Sequence, residues 1–214
     1  MKRVFGLFEA VFDLCYLAAA LLMGAWLLLS SPPGGPGWVA GIMALVLAGG
    51  DAFHLLPRIA VIFTGDEETY RPALGRGKQV TSITMTVFYL LLWQIGLMFF
   101  SLPEGWTVAV YLLAGVRIAL CLLPQNRWQD RYPPVFWGIL RNIPFFLLGA
   151  FTAVFFFLNR NVLESLGWIW LAVLLSFVFY FPVVLWSRRN PKIGMLMLPK
   201  TCAYQWMLAM CLSL

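Results

Sequence analysis

Apolar residues fall in seven long blocks along this chain, separated by short polar or proline- and glycine-rich breaks. The blocks cover roughly positions 4–29, 38–57, 80–100, 106–123, 135–158, 166–186 and 193–214. Each is near the ~20 residues an α-helix needs to cross bilayer hydrocarbon. Strands of a membrane barrel would be about half as long and would alternate in polarity. The pattern therefore predicts an all-α, polytopic transmembrane helix bundle of seven spans, forming a single integral-membrane domain over residues 1–214.

The breaks have their own chemistry. Ser30-Ser31-Pro32-Pro33-Gly34-Gly35-Pro36-Gly37 ends the first block, since proline and glycine punctuate regular structure. The second block meets Pro57, yet Ile59 to Phe63 stays apolar, which leaves open whether the span stops there or continues. Residues 65–78 are charged and read as a loop. The start, Met1-Lys2-Arg3 before an apolar run, mimics a signal peptide. Glu9 and Asp13 interrupt that run, and its length points to a retained first span.

Composition agrees with lipid as the solvent: 62% of residues are hydrophobic and 11% charged, whereas soluble domains carry about 25% charged residues. The four cysteines, Cys15, Cys121, Cys202 and Cys211, all lie in apolar blocks and are expected to be buried free thiols.

The net charge of +6 is less informative than its placement. Threaded through seven spans, one side receives Lys2, Arg3, Arg58, Arg71, Arg76, Lys78, Arg127, Arg131, Arg188, Arg189 and Lys192. The other receives Arg160. Basic residues accumulate on the cytoplasmic side of membrane proteins, so the N-terminus is expected inside and the C-terminus outside, in a plasma or bacterial inner membrane. No basic run lies beside stacking aromatics, so nucleic acid is not an expected partner. Trp38, Trp106, Trp128, Trp168 and Trp186 sit near block ends and read as interfacial anchors.

Polar residues inside the blocks carry the functional signal, because an ionisable group in a span costs roughly 2.5–3.5 kcal/mol on insertion scales. Glu9 and Asp13 are spaced i, i+4, with Tyr16 next on that face. Asp51, His54 and Arg58 follow at i, i+3, i+7 within Gly49-Gly50-Asp51-Ala52-Phe53-His54-Leu55-Leu56-Pro57-Arg58. Ser82, Thr86 and Tyr89 share a face of the third span. Arg117, Arg141 with Asn142, and Lys200 occupy spans four, five and seven. With the orientation above, most of these converge on the cytoplasmic half, which predicts a polar cavity there.

The residue types limit the chemistry. One histidine with no neighbouring cysteine gives too few soft ligands for zinc, so no metal is expected and no cofactor is indicated. Asp51 and His54 on one helix face are candidate acid–base residues, with Ser82 a nucleophile or a hydrogen-bonding group. Glu9, Asp13, Arg58, Ser82, Thr86, Tyr89, Arg117, Arg141 and Lys200 are candidate substrate-binding residues. The basic excess among them suits a phosphate or carboxylate.

The segment Leu47-Ala48-Gly49-Gly50-Asp51-Ala52-Phe53-His54-Leu55-Leu56-Pro57 resembles the glycine-aspartate segment of lysoplasmalogenase-type membrane proteins. That resemblance implies a polytopic hydrolase of the vinyl ether bond of lysolipids, and it carries over to Asp51 and Tyr89. The following segment there has a histidine three residues before a tyrosine; this chain has Thr86 before Tyr89. Three functions stay open: a hydrolase-like enzyme or binder of a lipid-like amphipathic molecule, a small-solute transporter coupled to protons through Asp51 and His54, and a membrane sensor whose charges are structural ion pairs.

Overall fold

The computed structural model describes residues 2–187 and 190–214, with the side chains of residues 2–5 and 191 left aside. The basic positions Arg188 and Arg189, and the side chains of Lys2 and Arg3, lie outside what is described. The described chain is helical, in seven α-helices: α1 Lys2–Ser30, α2 Pro36–Thr64, α3 Glu67–Phe99, α4 Glu104–Leu122, α5 Val135–Leu158, α6 Ile169–Trp186 and α7 Met197–Met210. Six of them are long and apolar enough to cross a membrane. The exception is α7, with 14 residues. It is flanked by 3-10 turns at Pro191–Leu196 and Cys211–Ser213, which prolong its helical course at both ends.

One open question about the elements is answered and one expectation needs correction. The second span continues past Pro57, which lies inside a 29-residue α2. Pro57 cannot donate to the carbonyl of Phe53, and Gly77 of α3 packs directly onto that carbonyl. The charged stretch 65–78 is not a loop. Gly65 ends α2 in the left-handed conformation at φ 74°, a shape that costs glycine little. Asp66 then caps α3 by accepting from the Thr69 amide at 3.1 Å. Glu67 and Glu68 occupy the first turn, where carboxylates oppose the helix dipole. Hydrogen bonds from Thr69 hold the Asp66 carboxyl below the usual aspartate range. The supposed loop is thus a two-residue corner, and α3 gains a long charged extension at its start.

The helices form a ring in sequence order. Neighbours in the chain pack together, α7 returns to pack on α1, and α3 also touches α5. The C-terminal residue comes to rest beside Gly37 at the start of α2. Lys200, early in α7, is close enough to Asp51 of α2 for charge interaction. Gly37 and Asp51 lie ~21 Å apart along α2 at 1.5 Å per residue, so α7 runs antiparallel to α2 over much of the bundle's height.

The aromatic core begins at the polar end, where Phe145 lines the cavity, and extends through the bundle away from it. Trp93, Phe88, Tyr89, Phe145, Phe155 and Phe156 are fully buried. Trp93 packs on Phe155 with ring centroids 4.6 Å apart. Around the outside, residues such as Leu22, Trp26, Leu29, Phe136 and Val178 are exposed. Core hydrophobicity with an equally apolar exterior suits a bundle solvated by lipid. The cysteines divide: Cys121 and Cys211 are buried, but Cys15 and Cys202 are exposed, contrary to the expectation that all four are interior. They sit on outward faces of α1 and α7, where apolar context did not mean burial.

Candidate functional site

All seven helices contribute to one cavity of about 520 Å³, within the range of small-molecule sites. It is set in the end of the bundle formed by the start of α1, the latter half of α2, the first half of α3, the end of α4, the start of α5, the end of α6 and the start of α7. That is the end predicted from the sequence to collect the polar residues.

On α2, Asp51, His54 and Arg58 all line the cavity, as their i, i+3, i+7 spacing requires. Their partners come from α1. The Tyr16 hydroxyl donates to Asp51 Oδ2 at 2.7 Å. Arg58 Nε donates to Glu9 Oε1 in an ion pair at the cavity mouth. Asp13 also lines the cavity and is 5% exposed, yet its Oδ2 has no hydrogen-bond partner.

The expected link between Asp51 and His54 is absent from the described contacts. Asp51 is engaged by Tyr16 and faces Lys200, while the His54 ring turns towards the Leu74 backbone and its Nδ1 is buried without a partner. Around His54, α2 and α3 approach closely. Gly77 brings α3 against Phe53 and His54, so close that a Cβ there would lie 2.7 Å from the His54 Cα. Gly50 meets Thr84 in the same way, and Thr81 donates to the Gly50 carbonyl at 2.8 Å.

On α3, Ser82 lines the cavity, but its hydroxyl donates to the Lys78 carbonyl one turn back at 2.8 Å. Thr86 does likewise to Ser82 at 3.0 Å and is fully buried. Tyr89 lies in the aromatic core, its hydroxyl 3.1 Å from Ser176 Oγ. Neither Thr86 nor Tyr89 lines the cavity. Both lie one to two turns beyond Ser82, towards the core.

The opposite wall is basic. Arg117 of α4 is 2% exposed, with its guanidinium 3.3 Å from the centroid of the Phe145 ring. Its Nε and Nη1 have no hydrogen-bond acceptor. Arg141 of α5 donates to Asn126 Oδ1 at 2.8 Å and lies over the Trp128 ring at 4.0 Å. Lys200 is 7% exposed, and its ammonium stands 4.8 Å from the Tyr180 ring and 4.9 Å from that of Tyr204. Among the described residues, Lys78, Arg117, Arg141 and Lys200 form no ion pair, and neither does Asp13 or Asp51.

Among the lining residues that the sequence did not single out, three touch the charged groups or share their faces: Lys78, Trp128 and Tyr180. A loop over 65–78 hides Lys78; with α3 beginning at Glu67, Lys78 and Ser82 fall on one face at i, i+4. Trp128, near a block end, does not act only as an interfacial anchor. Its indole donates to the Cys121 carbonyl at 3.0 Å and turns a face to Arg141. Tyr180 of α6 donates to Asn142 Oδ1 at 3.1 Å. A lone tyrosine in an apolar block carries no signal of its own.

The cavity's remaining side is apolar. Val183 and Val184 from α6, Met195 from the turn before α7, and Met197 and Leu198 from the start of α7 line it, and Met195 is exposed. One cavity thus joins a charged wall to an oily one. Comparison of the chain with protein-family models, curated proteins and solved structures gave no match, so the site's own geometry carries the functional argument.

Proposed function

We propose that this chain is an integral membrane protein that holds an amphipathic, lipid-like molecule in a cavity facing the cytoplasm, gripping it by an anionic group. The observation carrying this reading is the pair of unpartnered nitrogens on Arg117, buried in a cavity whose far side is Val183, Val184, Met195 and Leu198. The Phe145 ring and Cys121 offset part of the Arg117 charge, but buried donors without acceptors are unfavourable. A phosphate or carboxylate would supply the missing acceptors in the bidentate geometry that guanidinium favours, with Arg141, Lys200 and Lys78 adding charge. The chain of the ligand would lie against the α6–α7 side.

Binding is better supported than hydrolysis. Asp51 is held by Tyr16, and Ser82 by the Lys78 carbonyl, so no nucleophile–base pair is assembled among the described residues. The test is a binding comparison on purified protein, using dihexanoyl phosphatidic acid as the probe. Arg117→Met should weaken its binding by about 100-fold, as expected for loss of a charge-assisted contact worth ~3 kcal/mol. The same variant should unfold no more easily than wild type without ligand, since it removes a buried charge that no ion pair among the described residues balances. Equal binding by both proteins would sink the reading.

Small-solute transport is the second reading, favoured by helix-interior prolines that immediately precede cavity-lining residues: Pro57 before Arg58, Pro144 before Phe145 and Pro182 before Val183. Each removes a helix hydrogen bond beside the cavity and offers a point of bending. Proton-driven uptake in proteoliposomes that Asp51→Asn abolishes would favour transport over holding.

A further inference from the structure

We infer that the ligand is amphoteric: beside its anionic group it carries an ammonium group, whose N–H donates to the carboxylate of Asp13. The inference rests on the binding reading above and adds the second half of the ligand's headgroup.

Two kinds of unmet demand line the same cavity. Both residues line the cavity; among the described residues, Nε and Nη1 of Arg117 lack acceptors and Oδ2 of Asp13 lacks a donor. Both residues are more than nine-tenths buried, so bulk water does not meet either demand. The other carboxylates are already engaged: Glu9 by Arg58 and Asp51 by Tyr16. Asp13 has Glu9 and Asp51 as charged neighbours, and Arg58, the nearby cation, is occupied by Glu9. The α1–α2 wall is therefore acidic, while Lys78, Arg117 and Arg141 make the α3–α5 wall basic, with Lys200 between them.

A simple anion would satisfy Arg117 but leave Asp13 unmatched beside two other acids. A simple cation would do the reverse. A molecule with both groups, oriented across the cavity, satisfies both walls at once. The ammonium must carry hydrogen, because a quaternary ammonium offers charge to Asp13 but no donor. Either a lipid headgroup or a free zwitterion has this chemistry.

The experiment uses the full chain in detergent micelles, titrated with dihexanoyl forms of phosphatidylethanolamine, phosphatidic acid and phosphatidylcholine, and with free O-phosphoethanolamine. The ethanolamine lipid should bind about ten-fold tighter than either other lipid, the gain expected of one charge-assisted hydrogen bond. Asp13→Asn keeps the side chain's shape and breaks no hydrogen bond of Oδ2. It should remove that ten-fold preference while phosphatidic acid binding stays equal or improves. If phosphatidic acid or phosphatidylcholine binds wild type as tightly as the ethanolamine lipid, or if Asp13→Asn weakens all three alike, the amphoteric ligand is refuted and the anion-binding reading survives. If none of the lipids binds, and neither does O-phosphoethanolamine, both fail together. If free O-phosphoethanolamine binds as tightly as its lipid and shows the same Asp13 dependence, the zwitterion stands, but as a solute rather than a headgroup.

Discussion

Most polar side chains inside these helices satisfy themselves locally, and the exceptions mark the site. Ser82, Thr86, Thr152 and Thr201 each donate to the carbonyl one turn back, the usual solution for hydroxyls in apolar surroundings. Asp51 cannot do this, so it recruits Tyr16 from another helix. Tyr16→Phe should lower unfolding stability by about 1.5–3 kcal/mol, the range for a hydrogen bond to a charged group left unmade. Thr86→Val, which removes a hydroxyl bonded within its own helix, should change it by about 1 kcal/mol or less. Denaturant titration of both variants checks this; equal effects would mean that the Tyr16–Asp51 bond has no special weight. At this scale the sequence was partly legible. The spacing of Asp51, His54 and Arg58 placed all three on the cavity, since helix periodicity is a local property. That Asp51 pairs with Tyr16 rather than His54 depends on how α1 is rotated against α2, which no local spacing encodes.

Among the elements, the α2–α3 pair holds the site in shape through small residues. Gly50 accepts Thr84, and Gly77 accepts the Phe53 carbonyl and the His54 backbone, at separations that leave no room for a Cβ. Gly77→Ala should force the helices apart at His54 and destabilise by about 1–3 kcal/mol, the cost of overpacking. Gly49, one residue before the first contact, has open space around it. Gly49→Ala should be neutral or stabilising by up to about 1 kcal/mol, because alanine is the better helix former. A common effect of the two substitutions on thermal unfolding would refute the packing argument. The misreading of residues 65–78 belongs here as well. Their charge suggested a loop, but Asp66, Glu67 and Glu68 also form a helix start, and the capping geometry prevailed over composition. Pro57 and Pro72 likewise failed to end their helices. A proline costs one hydrogen bond and a bend, and the packing of a long helix outweighs it.

For the whole molecule, ring closure makes the cavity. Because α7 packs back on α1, Lys200 reaches the layer of Asp51 and Asp13, and residues nearly 190 positions apart meet, as when Gln205 donates to the Tyr16 carbonyl at 2.8 Å. The basic loops and the cavity share one end of the bundle, which the positive-inside rule assigns to the cytoplasm. Single cysteines in a cysteine-free background test that assignment. Ser101→Cys should react with an impermeant maleimide in intact cells, and Gln129→Cys only after permeabilisation; both sites are exposed, on opposite ends. The reverse pattern would invert the orientation and place the cavity outside. The sequence by itself determined that the chain is a bundle of long apolar helices, and which helix faces are polar, because hydropathy and helical period are local and lipid admits few other solutions. Only the tertiary structure decided which charges find partners. Pairing depends on the rotation and closure of helices distant in the chain, and among the described residues that arrangement leaves Asp13 and Arg117 without ion pairs in one cavity.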